Sequence, residues 1–120
     1  MKKTYVVSAK RSAIGSFLGS LTTVNPADLG ATVVKALLED ANVAPENVDE
    51  VLCGNVLGAG LGQNVGRQVA IKAGIPETVC AHSVNMVCGS GLRTVMEGVM
   101  SIQTGFNDIV VAGGVESMSG

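Results

Sequence analysis

Asn85-Met86-Val87-Cys88-Gly89-Ser90-Gly91-Leu92 is the stretch on which the reading of this chain turns. Ahead of it, Val79-Cys80-Ala81-His82-Ser83-Val84 has the character of a strand. Behind it, the apolar spacing from Leu92 to Gln103 predicts a helix. Cys88 therefore stands where a strand turns into a helix. Free N–H groups and a partial positive charge gather at the first turn of a helix, and both favour the anionic form of a sulfur. Gly89 and Gly91 leave the sulfur uncrowded, and Ser90 adds only a small hydroxyl. Two readings stand side by side: a nucleophilic cysteine, or a small apolar filler of the kind free cysteines commonly are.

The helix after Cys88 carries Leu92, Val95, Met96, Val99 and Ile102, with small residues between them, and reads as mostly buried. Met96 and Met100 then serve as core filler. Arg93 and Glu97 are four apart and can pair on one face. Gly105 closes the helix, and Asp108 to Ala112 gives the last strand, running into Gly113-Gly114.

Upstream, Thr4 to Ala9 is apolar and β-branched, a buried first strand. Asn25-Pro26-Ala27-Asp28 marks a helix start, with a capping Asn, Pro in the first turn and an acid after it. Leu29, Val33 and Leu37, with Val34 and Leu38, extend that helix to about Ala41. Gly30 within it suggests close packing against a sheet. Val51-Leu52-Cys53 is the unbroken core of a second strand covered on both faces, which makes Cys53 packing. Cys80, in the third strand, reads as buried too. Val65 to Ala73 is a short helix with Arg67 and Lys72 on its polar side, ended by Gly74-Ile75-Pro76.

The resulting order is β-α-β-α-β-α-β, an α/β fold whose crossovers build a mostly parallel sheet with helices on both faces. Function in such folds gathers beyond the carboxyl ends of the strands. Cys88, the glycine loop at 58–64 and the Gly113-Gly114 turn all fall at that rim. The spacing of the loop, Gly58-Ala59-Gly60-Leu61-Gly62-Gln63-Asn64, fits neither a dinucleotide fingerprint nor a P-loop, so it reads as a connection. Arg11 could meet a phosphate, but a structural ion pair or a solvated guanidinium is the plainer reading. His82, the single histidine, would be the obvious base for Cys88. It sits six residues before Cys88 on an extended run, and a surface or edge-strand histidine is the better reading.

Composition narrows the function. Eight basic and ten acidic residues leave a net charge of -2, without the basic patch or the stacking aromatics that nucleic-acid binding needs. No apolar run reaches the ~18 residues of a membrane span. Three cysteines, with no C-x-x-C and one histidine, do not make a zinc site and fit a reducing, cytoplasmic setting.

Asn85-Met86-Val87-Cys88-Gly89-Ser90-Gly91-Leu92-Arg93 resembles the acyl-enzyme motif of the thiolases. The likeness extends through Ser8-Ala9-Lys10-Arg11 with Ile14-Gly15-Ser16-Phe17. It continues in Gly54-Asn55-Val56-Leu57 through Gly66-Arg67-Gln68, and in Ala112-Gly113-Gly114-Val115-Glu116-Ser117-Met118-Ser119. The pattern is most similar to the acetyl-CoA acetyltransferase branch. The resemblance implies the thiolase fold of two similar α/β halves, and ping-pong chemistry in which Cys88 takes an acyl group from an acyl-CoA. It implies no bound cofactor or metal; coenzyme A thioesters are the substrates. It further implies a homodimer or tetramer in the full-length enzyme, with Val79 to Val84 a dimer strand. Family members are several times longer, so residues 1–120 are expected to form an incomplete N-terminal domain whose C-terminal half is absent. The activating histidine and the second cysteine of the family then belong to segments outside this sequence, and a missing fifth strand leaves an exposed sheet edge. Two rival readings are a non-catalytic thiolase-like fragment that binds a partner, and a condensing enzyme of the ketoacyl synthase type. The Gly113 to Ser119 block favours thiolase over the latter.

Overall fold

The computed structural model describes all 120 residues. A three-stranded parallel sheet lies at its centre. Strand β1 (Glu50–Gly54) is flanked by β2 (Cys80–Val84) and β3 (Val110–Gly114), so the order is β2-β1-β3. Gly54 is in register with both Val84 and Gly114, which brings all three strand ends to one rim. Each strand after β1 is reached through a helix: α2 (Val65–Lys72) leads to β2, and α3 (Ser90–Gln103) leads to β3. Helix α1 (Pro26–Ala41) precedes the sheet.

The two faces of β1 divide the layers. Val51 and Cys53 join a core with Val34 and Leu38 of α1, Val69 and Ala70 of α2, and Val111 of β3. Gly54 faces the other way, toward the first turn of α3, where a Cβ would lie 2.8 Å from the Gly91 nitrogen. Helices thus cover both faces, as an unbroken apolar strand requires.

Local signals act as the sequence predicts in α1. The Asn25 side chain accepts the Ala27 N–H, Pro26 opens the helix, and Asn42 closes it in a left-handed conformation at φ 54°. Gly30 does allow a close approach, but to a helix: a Cβ there would lie 2.8 Å from a methyl of Val69 in α2.

Three expectations are corrected. Thr4 to Ala9 is not a strand of this sheet. The observed order is α-β-α-β-α-β, with three strands rather than four. The segment is held at its ends, by a Lys2–Asp108 ion pair at 3.0 Å and a Ser8 hydroxyl bond to Asp40 at 2.6 Å. An apolar groove of about 700 Å³ lies between it and β3, with both among its walls. A ladder needs strands ~4.8 Å apart, and the groove prevents that. Cys80 is exposed, because β2 is an edge strand. Helix α3 is not mostly buried: only Ser90, Thr94 and Gly98 are. These small residues recur every four positions and let the helix sit close to the sheet, with the Gly98 Cα side against Val110. Leu92, Val95, Met96 and Met100 consequently face outward and are exposed.

Candidate active site

The rim where the strands end carries the candidate site. From β2 the chain enters a tight turn at Met86-Val87-Cys88-Gly89, closed by the Gly89 N–H donating to the Met86 carbonyl at 3.1 Å. Val87 and Cys88 are its central residues. Val87 takes a φ of 50°, a left-handed conformation unusual for a β-branched side chain. The Val87 N–H is held by the Asn85 side chain at 3.1 Å. Helix α3 begins at Ser90, with Gly89 as its cap. Cys88 is exposed and lies two residues before the first helical residue. Its backbone N–H donates to no acceptor in the chain. A Cβ on Gly91 would meet nothing within 4 Å, so the space beside the first turn is open.

Ser90 is the residue that sequence reasoning passed over. Its side chain is buried, with 4% of the residue exposed, and its hydroxyl makes two bonds. It accepts the Met86 N–H at 2.8 Å and donates to the Val87 carbonyl at 2.6 Å. The signal was present in the sequence: a serine two residues after a turn residue, at a helix start, commonly bonds back to the local backbone.

Around this turn the other rim segments are tied down. Glu116 accepts the Val56 and Leu57 N–H groups at 2.9 and 2.8 Å. The Asn55 amide donates to the Val115 carbonyl at 3.0 Å. In the glycine-rich loop, Gly60 and Gly62 have φ of 75° and 83°, and the Gln68 amide donates to the Leu61 and Gln63 carbonyls. Asn64 caps α2 by accepting the Arg67 N–H. These inward bonds make 58–64 a connection, as its spacing suggests. Arg67 donates to the Val79 and Glu77 carbonyls and so holds the approach to β2. Arg11 bonds only the Ser12 carbonyl and is solvated.

His82 is not brought to Cys88. It is an edge-strand residue, and its Nδ1 lies 3.6 Å from a Glu50 carboxylate oxygen. Glu50 is in turn held by the Asn107 amide at 2.7 Å. Cys53 is buried, and burial pushes its thiol up to about 11, the mark of an inert packing cysteine. No three His, Cys, Asp or Glu side chains gather into a group that could hold a metal ion.

The profile of the thiolase N-terminal domain matches residues 4–120 of the chain. The chain belongs to the thiolase family. Among relatives of this thiolase chain, the acetyl-CoA acetyltransferase of Escherichia coli is 55% identical over 119 residues, 99% of this chain and 30% of that protein. The cytosolic acetyl-CoA acetyltransferase of Rattus norvegicus is 54% identical over 114 residues, 95% of this chain and 29% of that one. The fold agrees. A thiolase from Ascaris suum in complex with coenzyme A superposes with a TM-score of 0.94 at 41% identity, over 96% of this chain and 30% of that one. The Bacillus anthracis acetyl-CoA acetyltransferase gives 0.91 at 38% identity, over 95% and 29%. The chain thus spans about three-tenths of the length of the curated relatives it matches.

Proposed function

We propose that this thiolase-family chain carries the acyl-accepting cysteine of an acetyl-CoA C-acetyltransferase and is most of the N-terminal half of that enzyme. The observation that carries the reading is Cys88 itself: an exposed residue in the turn before α3, at the strand rim, with its own N–H free. The Cys88 sulfur attacks the thioester carbonyl of acetyl-CoA. A new C–S bond forms, and the carbonyl oxygen gains charge beside the Cys88 N–H. Collapse breaks the bond to coenzyme A, whose thiolate takes up the equivalent of the proton that the Cys88 thiol gave up, and leaves acetyl on Cys88. In condensation, the α-carbon of a second acetyl-CoA, deprotonated by a base, attacks that acetyl group and releases the Cys88 thiolate. In thiolysis, the Cys88 thiolate attacks the 3-keto carbonyl of acetoacetyl-CoA, the bond between carbons 2 and 3 breaks, and carbon 2 takes up a proton and leaves as acetyl-CoA; coenzyme A, giving up its thiol proton, then takes the acetyl group and releases the Cys88 thiolate. The base and the second cysteine are those that the family resemblance assigns to segments outside this sequence; His82 stands on β2 with its Nδ1 3.6 Å from a Glu50 carboxylate oxygen. Turnover therefore needs those segments.

The outward face of α3, with Leu92, Val95, Met96 and Met100, supports a second half packed against this one. The free outer edge of β2 supports Val79 to Val84 as the strand through which the enzyme pairs into a dimer or tetramer. Three unpaired cysteines support a reducing, cytoplasmic setting.

Incubating the chain with acetyl-CoA and reading intact mass tests the proposal. An acetyl adduct that maps to Cys88 and is lost in Cys88→Ala is expected, with turnover appearing only when a cognate C-terminal part is added. No adduct and no restored turnover would leave a non-catalytic, partner-binding fragment.

A further inference from the structure

We infer that Ser90 is a positioning residue for Cys88, an inference that rests on the acyl-enzyme reading above. A trans peptide is a rigid plane with its carbonyl and its N–H on opposite sides. The plane that matters joins Val87 to Cys88. Its carbonyl is gripped on one side by the Ser90 hydroxyl at 2.6 Å and the Ser90 N–H at 3.2 Å. Its N–H, that of Cys88, is thereby turned to the other side, where no group of the chain competes for it. The same hydroxyl accepts the Met86 N–H at 2.8 Å and so spans the turn from both ends.

Such a brace has a reason to exist. Left-handed positions at the first central residue of a turn favour Gly, Asn or Asp. Here the position holds Val87, at φ 50°. A β-branched residue persists in that region only where its surroundings over-determine it. Ser90 does so together with the Asn85 side chain, which accepts the Val87 N–H, and the Gly89 N–H, which donates to the Met86 carbonyl. It is the buried member of the set, at the first turn of α3, and it bonds the Met86 N–H and the Val87 carbonyl, which flank the Val87 Cα. It acts on the reaction through the Cys88 N–H, which receives the oxyanion, and touches no substrate itself.

The test compares two reagents on the whole chain. Acetyl-CoA builds an oxyanion at Cys88, whereas iodoacetamide alkylates sulfur without one. In Ser90→Ala, acetylation of Cys88 should slow tenfold or more while its alkylation stays within about threefold of wild type. Exchange of the Met86 amide, followed by NMR, should quicken at least tenfold. With Val87→Gly the strain is gone, so adding Ser90→Ala to that background should change acetylation by less than threefold. Equal slowing with both reagents, equal losses in both backgrounds, or an unchanged Met86 amide would overturn the inference. A wild-type chain that takes no acetyl group sinks the acyl-enzyme reading instead, and the Met86 amide then judges the brace alone. If Ser90→Ala does not fold, folding of the Val87→Gly/Ser90→Ala pair supports the brace, and its failure overturns it.

Discussion

Gly54→Ala puts a single methyl group between β1 and the turn that carries Cys88. The new Cβ would lie 2.8 Å from both the Gly91 nitrogen and the Ser90 carbonyl carbon, and 3.0 Å from the Ser90 Cβ. Ordinary contact begins at 3.4 Å, so the first turn of α3 must retreat by about 0.6 Å, the difference between 3.4 and 2.8. These neighbours are backbone, and no rotamer change relieves them. Overpacking of this kind costs about 2–3 kcal/mol. The lower entropy of an unfolded Ala returns ~0.5–1 kcal/mol. A net loss near 2 kcal/mol should lower the melting temperature by roughly 5–10 °C in a domain of this size. Gly113→Ala is the control, since a Cβ there meets nothing within 4 Å. Calorimetry on both variants, with acetylation of Cys88 measured alongside, gives the comparison. Gly54→Ala should melt well below Gly113→Ala and acetylate more slowly, because the turn holding Cys88 has moved. If the two variants melt together, the close approach of α3 to β1 has been misread.

Thr94 is wholly buried, and its hydroxyl donates to the Gly91 carbonyl at 2.6 Å with a second contact to the Gly113 carbonyl at 3.2 Å. Thr94→Val should cost about 1–2 kcal/mol, read as a lower urea midpoint at an unchanged slope. At pH 8, iodoacetamide should label Cys80 and Cys88 in the native chain and leave Cys53 untouched, with all three labelled in urea; mass mapping checks this. Burial raises the Cys53 thiol from 9.0 to about 11, so the unfolded chain loses this proton first and stability should decline as pH rises between those values. Asp49 behaves oppositely: bonds from the Ile109 and Asp108 N–H groups lower its carboxyl below 3.8. Its contribution is present above that value and lost as pH falls through the lower folded one, so Asp49→Asn should flatten the acid limb of a melting-temperature profile.

Punctuation and periodicity made much of this chain legible. Asn25-Pro26, the stripe from Leu29 to Leu38 and the closing Asn42 act locally, so α1 is where they put it. The unbroken Val51-Leu52-Cys53 run carries its own statement that both faces are covered. The pairing of Arg93 with Glu97, 3.9 Å apart, follows from helical spacing alone. The thiolase motif around Cys88 was equally plain, since it is a pattern of consecutive residues.

Other features depend on what stands beside each residue, which no local pattern records. Thr4 to Ala9 has the composition of a strand, but a strand exists only where a neighbour offers hydrogen bonds, and its neighbour is a groove. Apolar spacing marked one stripe of α3 as core, whereas the sheet takes the stripe of Ser90, Thr94 and Gly98, because only small residues permit so close an approach. Sequence by itself determined the α/β class, the family and the place of Cys88 before a helix, all written in short-range pattern. Tertiary structure alone decided which face of α3 is buried, that His82 lies beside Glu50, and that the hydroxyl of Ser90 bonds across the turn, since each depends on distances between groups that folding brings together.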